Sequence, residues 1–208
     1  MNKCLLVSGG EFSPVPDIEA YDMIIACDKG YEHCQKMNVT PDIVIGDLDS
    51  CTVNISPETN LKKLNPIKDD TDTISSVRYA LSMGYHQIDI CCAFGGRLDH
   101  SIANIQTAAF IMEHGASTCI TGTDTMLFSI NNGSITLPKK NNCYLSVFSI
   151  SDISTGVSIK GTKYEVTNIS LTNTYPIGTS NEWVNDAATI SVEHGMLIAV
   201  ISKNVKIK

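Results

Sequence analysis

Short apolar runs punctuate the first 125 or so residues, and between them lie stretches in which apolar side chains recur every three or four positions. "KCLLVS", "DMIIAC", "DIVIG", "QIDICCAF" and "STCITG" read as strands, and their lack of polar alternation predicts strands covered on both faces. "TDTISSVRYALSMG" places Ile74, Val77 and Leu81 at i, i+3 and i+7. "LDHSIANIQTAAFIMEHG" does likewise with Ile102, Ile105, Ala109 and Met112, so both segments are expected to be helices with one apolar face. Strand, helix, strand in series predicts an α/β domain with a mostly parallel sheet and helices on its faces.

Beyond Thr123 the helical period stops. "TMLFSI", "GSITLP", "NCYLSVFSI", "GVSIKG", "EVTNISL", "AATISVEHG" and "MLIAVIS" are short, rich in β-branched residues and separated by Gly, Asn, Pro or Asp. They predict a C-terminal all-β sandwich or barrel domain. The expected division is 1–124 and 125–208, with no linker-like composition at the boundary, no internal repeat and no low-complexity tract.

Composition narrows the function classes. A chain of 208 residues with 43% hydrophobic content can bury real cores, which excludes disordered and fibrous classes. A formal charge of -7 without a dense basic block argues against a binder of the nucleic-acid backbone and favours a small-molecule partner. The eight cysteines form no CxxC pair and several sit inside apolar runs, so they are expected to be reduced and buried. No run approaches the ~20 residues of a membrane span, and the N-terminal apolar stretch is too short for a signal peptide, so the expected location is cytoplasmic.

The candidate chemistry lies just after the apolar runs, where open parallel sheets bind ligands. Asp28, Lys29 and Gly30 follow "MIIAC"; Asp47 and Asp49 follow "DIVIG"; Lys68, Asp69, Asp70 and Asp72 follow "LKKLNPI"; Gly95, Gly96, Arg97, Asp99 and His100 follow "DICCAF". Any single Asp here also suits a cap or turn, and Asp70 or Thr71, and Asp99, stand where a helix N-cap belongs. Asp47 and Asp49, expected on one face of an extended end, would repel by roughly 4 kcal/mol at about 4 Å and a dielectric near 20. A hard divalent cation such as Mg2+ takes oxygen ligands, typically carboxylates plus substrate phosphates, and offsets that repulsion. The five histidines are scattered without zinc-like spacing, and only His100, beside Asp99, is placed either to meet a phosphate or to cap a helix. "FGGRLDH" supplies the complementary half of a phosphate site: glycines for close backbone approach, the Arg97 fork, and the start of a helix. No Walker loop, GxGxxG or GxSxG is present. "DLD" by itself also suits a metal-dependent transferase or hydrolase acting on a nucleotide sugar.

Taken in order, "CDKG", "PDIVIGDLDS", "KDDTDT", "GGRLDHSIANI", "GTKYEVTN" and "GTSNEW" resemble the thiamine pyrophosphokinase family, over residues 5 to 200 or so. The resemblance implies transfer of a pyrophosphoryl group from ATP to the hydroxyl of thiamine with Mg2+, giving AMP. It also implies an N-terminal α/β domain for ATP, a β domain contributing to the thiamine site, and a homodimer with the active site between subunits. By the same resemblance Asp47, Asp49, Asp72 and Asp99 are the catalytic and metal carboxylates. Asp28, Lys29 and Gly30, with Asp69, Thr71, Gly96, Arg97, His100 and Asn104, are expected to bind ATP. Thr179, Ser180 and Asn181 are expected in a thiamine loop, with Trp183, the single tryptophan, as the candidate to stack on the aminopyrimidine. "DKG" departs from the more usual Asp-Gly-Gly or Asp-Arg-Gly, leaving a point charge at Lys29. Tyr164 stands where the family has Trp or Tyr.

Overall fold

The computed structural model describes residues 2–15, 17–49, 51–65 and 70–204, which fall into two compact units, 1–123 and 124–208. The first unit runs β1 (Lys3–Val7), β2 (Met23–Cys27), α1 (Gly30–Lys36), β3 (Ile43–Gly46), β4 (Leu61–Lys63), α2 (Asp72–Ser82), β5 (Gln87–Cys91), α3 (Leu98–Glu113) and β6 (Cys119–Thr121). Its strands lie in the order β4-β3-β2-β1-β5-β6. All neighbours in that order pair in parallel. The chain moves outward from β1 through β4 and returns to the opposite side of β1 as β5, so the order reverses beside β1. A crevice opens outside the carboxyl ends of strands at such a reversal. Leu5, Leu6, Ile25, Ile45, Ile88 and Ile90 are fully buried, as their unbroken apolar runs require.

Two local features differ from the periodic pattern. Helix α1 carries no apolar repeat, and its buried residues are Gly30, Tyr31, His33 and Cys34. Helix α3 buries Asn104, Thr107, Ala108, Ile111 and Met112, while Ile102 is 51% exposed. The stripe is thus rotated from Ile102 and Ile105 toward Asn104, whose amide donates to the Ala93 carbonyl at 2.6 Å. Helix α2 begins as expected, with the Thr71 hydroxyl capping the Ile74 N–H at 3.2 Å. In α3 the capping position falls to Arg97, and Asp99 lies inside the first turn.

Gly30 shows why α1 starts where it does. A Cβ there would be driven into the Val7 carbonyl, so only glycine lets α1 lie this close to β1. Gly30→Ala is expected to lower the stability of the protein by about 1–3 kcal/mol, the usual cost of overpacking. Thermal denaturation checks this, and an unchanged midpoint would show that α1 shifts at no cost.

The second unit contains β7 (Thr125–Asn131), β8 (Ser134–Pro138), β9 (Cys143–Ser149), β10 (Ile153–Lys160), β11 (Val166–Thr172), β12 (Ala187–Ser191) and β13 (Met196–Lys203). β13 pairs antiparallel with β7 and β9. β10 pairs with β11 and β12, and β12 with β8, again antiparallel. Leu145, Val147, Val157, Leu171, Ile190, Leu197 and Ala199 from both sheets share one core, which makes the unit a β-sandwich. All eight cysteines are free thiols, and Cys4, Cys27, Cys34, Cys91 and Cys92 are buried. No helix among the described residues is long and apolar enough to cross a membrane.

Candidate active site

A cavity of about 620 Å³ lies at the strand-order reversal. Ser8, Gly9, Gly10 and Glu11 reach it from the end of β1, Cys27, Asp28 and Lys29 from the end of β2. Thr71, Asp72 and Thr73 enter it from the start of α2, and Ala93, Gly95, Gly96, Arg97, His100 and Asn104 from the β5–α3 connection. Gly95 and Gly96 adopt φ of +87° and +70°, a left-handed turn that a side chain would strain, and so the backbone itself lines the cavity. The Ser8–Glu11 wall was not singled out in the sequence, although its Gly-Gly after an apolar run has the same form as Gly95-Gly96.

One carboxylate oxygen from each of Asp28, Asp47 and Asp72 lies within 4.8 Å of the other two. Asp28 is buried and the other two are half-buried. The cluster draws on the end of β2, the end of β3 and the first residue of α2, so three distant parts of the sequence meet. Oxygen-only ligands at this spacing fit a hard divalent cation and not a soft one. Asp28 enters this cluster in addition to Asp47 and Asp72. Asp49 and Asp99 do not.

Leu48 explains the position of Asp49. Its φ of 68° interrupts the extended backbone, so Asp47 and Asp49 do not project from one face as two strand residues would. Asp49 is exposed, and its backbone N–H donates to Asp47 Oδ1 at 3.2 Å. Asp28, with φ of 48°, is a second left-handed residue at a strand end. Such conformations cost of order 1–3 kcal/mol each and recur where a site dictates the backbone.

Asp99 is joined to Arg97 by a two-pronged pair, Nε to Oδ1 at 3.1 Å and Nη2 to Oδ2 at 2.6 Å. The Arg97 guanidinium, and next the His100 N–H, hold the Asp99 carboxyl below its ordinary pKa, and Arg97 is raised in turn. Both side chains are well exposed, so the pair adds little to stability. Lys29 is exposed at the cavity, Gly30 is committed to helix packing, and the Thr71 hydroxyl to its cap. Asp69 lies outside the described residues.

The loop that follows Asp49 is tied to α1. Thr52 donates its N–H and hydroxyl to Glu32 Oε1 at 2.8 and 2.9 Å, and the Ser56 N–H donates to the Tyr31 hydroxyl at 3.2 Å. The two Thr52 donors hold the Glu32 carboxyl below its ordinary pKa. A lowered folded-state value means the anchor is complete above the unfolded value of about 4.3 and is lost as pH falls through the folded one. Glu32→Gln is therefore expected to speed amide exchange over 51–56 at neutral pH, where wild type is protected. Equal exchange rates in the two proteins would remove this role.

In the second unit, the segment Gly178–Asn181 is pinned alongside β9: Gly178 O and Asn181 O accept from Val147 and Leu145 N–H at 2.7 and 2.9 Å. The buried Asn181 amide donates to Thr162 Oγ1 at 3.0 Å and Tyr164 O at 2.9 Å, and its Oδ1 accepts from Tyr164 N–H at 3.0 Å. Its side chain therefore organises the 162–164 turn. Ser180 is exposed, with φ of 57°, and Thr179 borders an apolar cavity of about 120 Å³ with Leu145, Val147, Ile159, Tyr164 and Ile177. Trp183 differs from expectation. It is 7% exposed in the sandwich core, and its indole N–H donates to the Leu137 carbonyl at 3.3 Å, which leaves no open face for stacking on a vitamin.

The α/β unit thus places carboxylates and a glycine-arginine turn at its strand-order reversal, and a β-sandwich follows it in the chain. The profile described as thiamin pyrophosphokinase, catalytic domain, matches residues 17–120, and that described as thiamin pyrophosphokinase, vitamin B1 binding domain, matches residues 134–197. The chain belongs to the thiamin pyrophosphokinase family, whose reaction is ATP-dependent pyrophosphoryl transfer. It is 26% identical over 209 residues to the thiamine pyrophosphokinase of Bacillus subtilis (strain 168), covering 95% of this chain and 97% of that protein. The crystal structure of thiamine pyrophosphokinase from Bacillus subtilis superimposes with a TM-score of 0.86 at 24% identity, over 98% of this chain and 100% of the other. A thiamin pyrophosphokinase family protein from Enterococcus faecalis gives 0.80 at 25%, over 98% and 100%. Thiamin pyrophosphokinase from Candida albicans gives 0.76 at 14%, over 97% and 89%.

Proposed function

We propose that this chain transfers the pyrophosphoryl group of ATP to the hydroxyl of thiamine at the cavity of its first unit, forming thiamine diphosphate and AMP. The observation that carries this reading is the meeting of Asp28, Asp47 and Asp72 within 4.8 Å beside the Gly95-Gly96-Arg97 turn. Asp28, Asp47 and Asp72 would hold a divalent cation, with Mg2+ as the proposed ion, and Asp49 stands next to them. When bound, that ion supplies the positive charge that lets a triphosphate enter an acidic site and makes its phosphorus more electrophilic.

The protein's own part is positioning and charge, as phosphoryl-type transfer requires. Gly95 and Gly96 present backbone to the phosphates, and the N-terminus of α3 directs N–H groups the same way. Lys29 and His100 border the phosphates, and Asn104, fixed by Ala93, meets the nucleoside. Arg97 leaves Asp99 for the phosphate that departs as AMP. Freed from the guanidinium, Asp99 regains ordinary carboxylate basicity and accepts the thiamine hydroxyl proton, with Asp72 the alternative acceptor. Thiamine is proposed to be held by Tyr164, Thr179 and Ser180, contributed to the active site across the proposed homodimer, while Trp183 lies in the sandwich core.

The reading includes a cytoplasmic homodimer. Tyr164, Tyr175, Ile177 and Val184 are each more than half exposed, which supports a further surface covering them. Sedimentation of the purified chain tests this, and a monomer at assay concentration would remove it. Incubation with ATP, Mg2+ and thiamine is expected to release AMP in step with thiamine diphosphate. ADP or inorganic phosphate as the thiamine-independent product would overturn the proposed function.

A further inference from the structure

His33 belongs to neither the carboxylate cluster nor the residues lining the nucleotide cavity, yet it is 4% exposed on α1 and its Nε2 lies 2.8 Å from the Gly10 carbonyl. A carbonyl has no hydrogen to give, so Nε2 carries the proton and donates. Nδ1, the other ring nitrogen, is buried and among the described residues has no hydrogen-bond partner. A half-satisfied imidazole is a poor choice for stability alone, because an unpaired buried polar atom costs more than an apolar side chain of similar size would. What the imidazole gains over such a side chain is the bond to Gly10.

Gly10 lies in the wall Ser8–Glu11. One edge of that wall is fastened to the β5 end: Gly10 N–H donates to the Cys92 carbonyl at 2.7 Å, Glu11 N–H to Phe94 O at 2.9 Å, and Cys92 N–H to Ser13 Oγ at 3.0 Å. His33 fastens it from the side of α1, where its ring also packs on Phe12 with centroids 5.6 Å apart. The same helix begins with Gly30, directly after Asp28 and Lys29 of the cavity, so α1 holds two walls in register. We propose that His33 is a positioning residue for the nucleotide, fixing the Gly10 carbonyl and through it the Ser8–Glu11 wall against which the nucleoside triphosphate packs. This rests on the reading that the cavity takes ATP.

Steady-state kinetics of the full chain with ATP and thiamine, with His33→Leu and His33→Gln, test it. His33→Leu is expected to raise KM for ATP by about tenfold, the scale of one lost hydrogen bond, with kcat and KM for thiamine unchanged. His33→Gln, which keeps an N–H donor near the position of Nε2, is expected to restore most of the loss. A purely structural histidine would lower thermal stability and active fraction without moving KM for ATP. If His33→Leu does not fold, two further measurements serve. Gly10→Ala displaces the wall from its other edge, its Cβ meeting Cys92 O at 2.6 Å and Phe94 O at 2.8 Å, and is expected to reproduce the KM change. In unmutated protein, nitrogen NMR of the ring is expected to show the Nε2–H tautomer, perturbed by a Mg2+-loaded non-hydrolysable ATP analogue. An unchanged KM for ATP, no rescue by glutamine, or the Nδ1–H tautomer overturns the inference while leaving the proposed function standing. Wild-type protein that makes no AMP from ATP and thiamine overturns both.

Discussion

Asp47→Asn is expected to cut turnover at least ~100-fold, on the scale of lost electrostatic stabilisation, and to raise the Mg2+ concentration needed for half-maximal rate. The amide matches the carboxylate in shape and keeps an oxygen to accept the Asp49 N–H, so the backbone turn through Leu48 is retained. What changes is charge. Two carboxylate oxygens at 4.8 Å repel by roughly 3.5 kcal/mol at an effective dielectric of 20, and Asp47 has two such neighbours in Asp28 and Asp72. Removing its charge should therefore leave metal-free protein at least as stable as wild type, while activity falls. That opposition marks a cluster kept for binding and not for folding. Thermal denaturation in a chelator, beside initial rates across a Mg2+ titration, reads both quantities. Wild-type turnover with an unchanged Mg2+ dependence would end the case for these three residues as a cation site.

The parallel strands were legible because burial on both faces leaves unbroken apolar runs, and the sandwich because β-branched segments alternate with turn residues. Helix α1 was not, since its seven residues are held by Tyr31, His33 and a glycine contact and show no apolar period. In α3 the helix is legible from Ile102, Ile105, Ala109 and Met112, but of these four only Met112 is fully buried and Ile102 is exposed. Asn104 turns inward because Ala93 offers a carbonyl, a tertiary partner that no local pattern contains. The same limit governs the site. Asp47 and Asp72 could be singled out after apolar runs, but that Asp28 completes their cluster depends on β2 lying next to β3, and Asp49 is separated from Asp47 by the left-handed Leu48. The place of Trp183 beside the Thr179–Asn181 segment suggests ligand stacking along the chain, whereas its indole lies in the sandwich core. Chemistry that is carried by a residue type can be read along the chain, and chemistry that arises from strand order has to await the fold.

Arg97→Ala is expected to lower turnover about 10²- to 10³-fold, comparable with loss of one donor to a developing anion, and Arg97→Lys to recover only part of it. The guanidinium is held by both oxygens of Asp99, at 2.6 and 3.1 Å, and a planar fork that satisfies a carboxylate in this way suits a phosphate equally. An ammonium offers the charge without the fork. The substitution should also move the pH dependence, and its direction follows from the pair. Arg97 holds the Asp99 pKa below its ordinary value in the ligand-free protein, so without Arg97 the carboxyl titrates at higher pH. A base must be ionised to act, and the acidic limb of kcat/KM, which reports the free enzyme, should therefore shift upward in pH in Arg97→Ala. Asp99→Asn should abolish that limb. If Arg97→Ala lowers the rate without moving the acidic limb, Arg97 serves the phosphate alone, and the proton acceptor is Asp72 or another carboxylate of the rim.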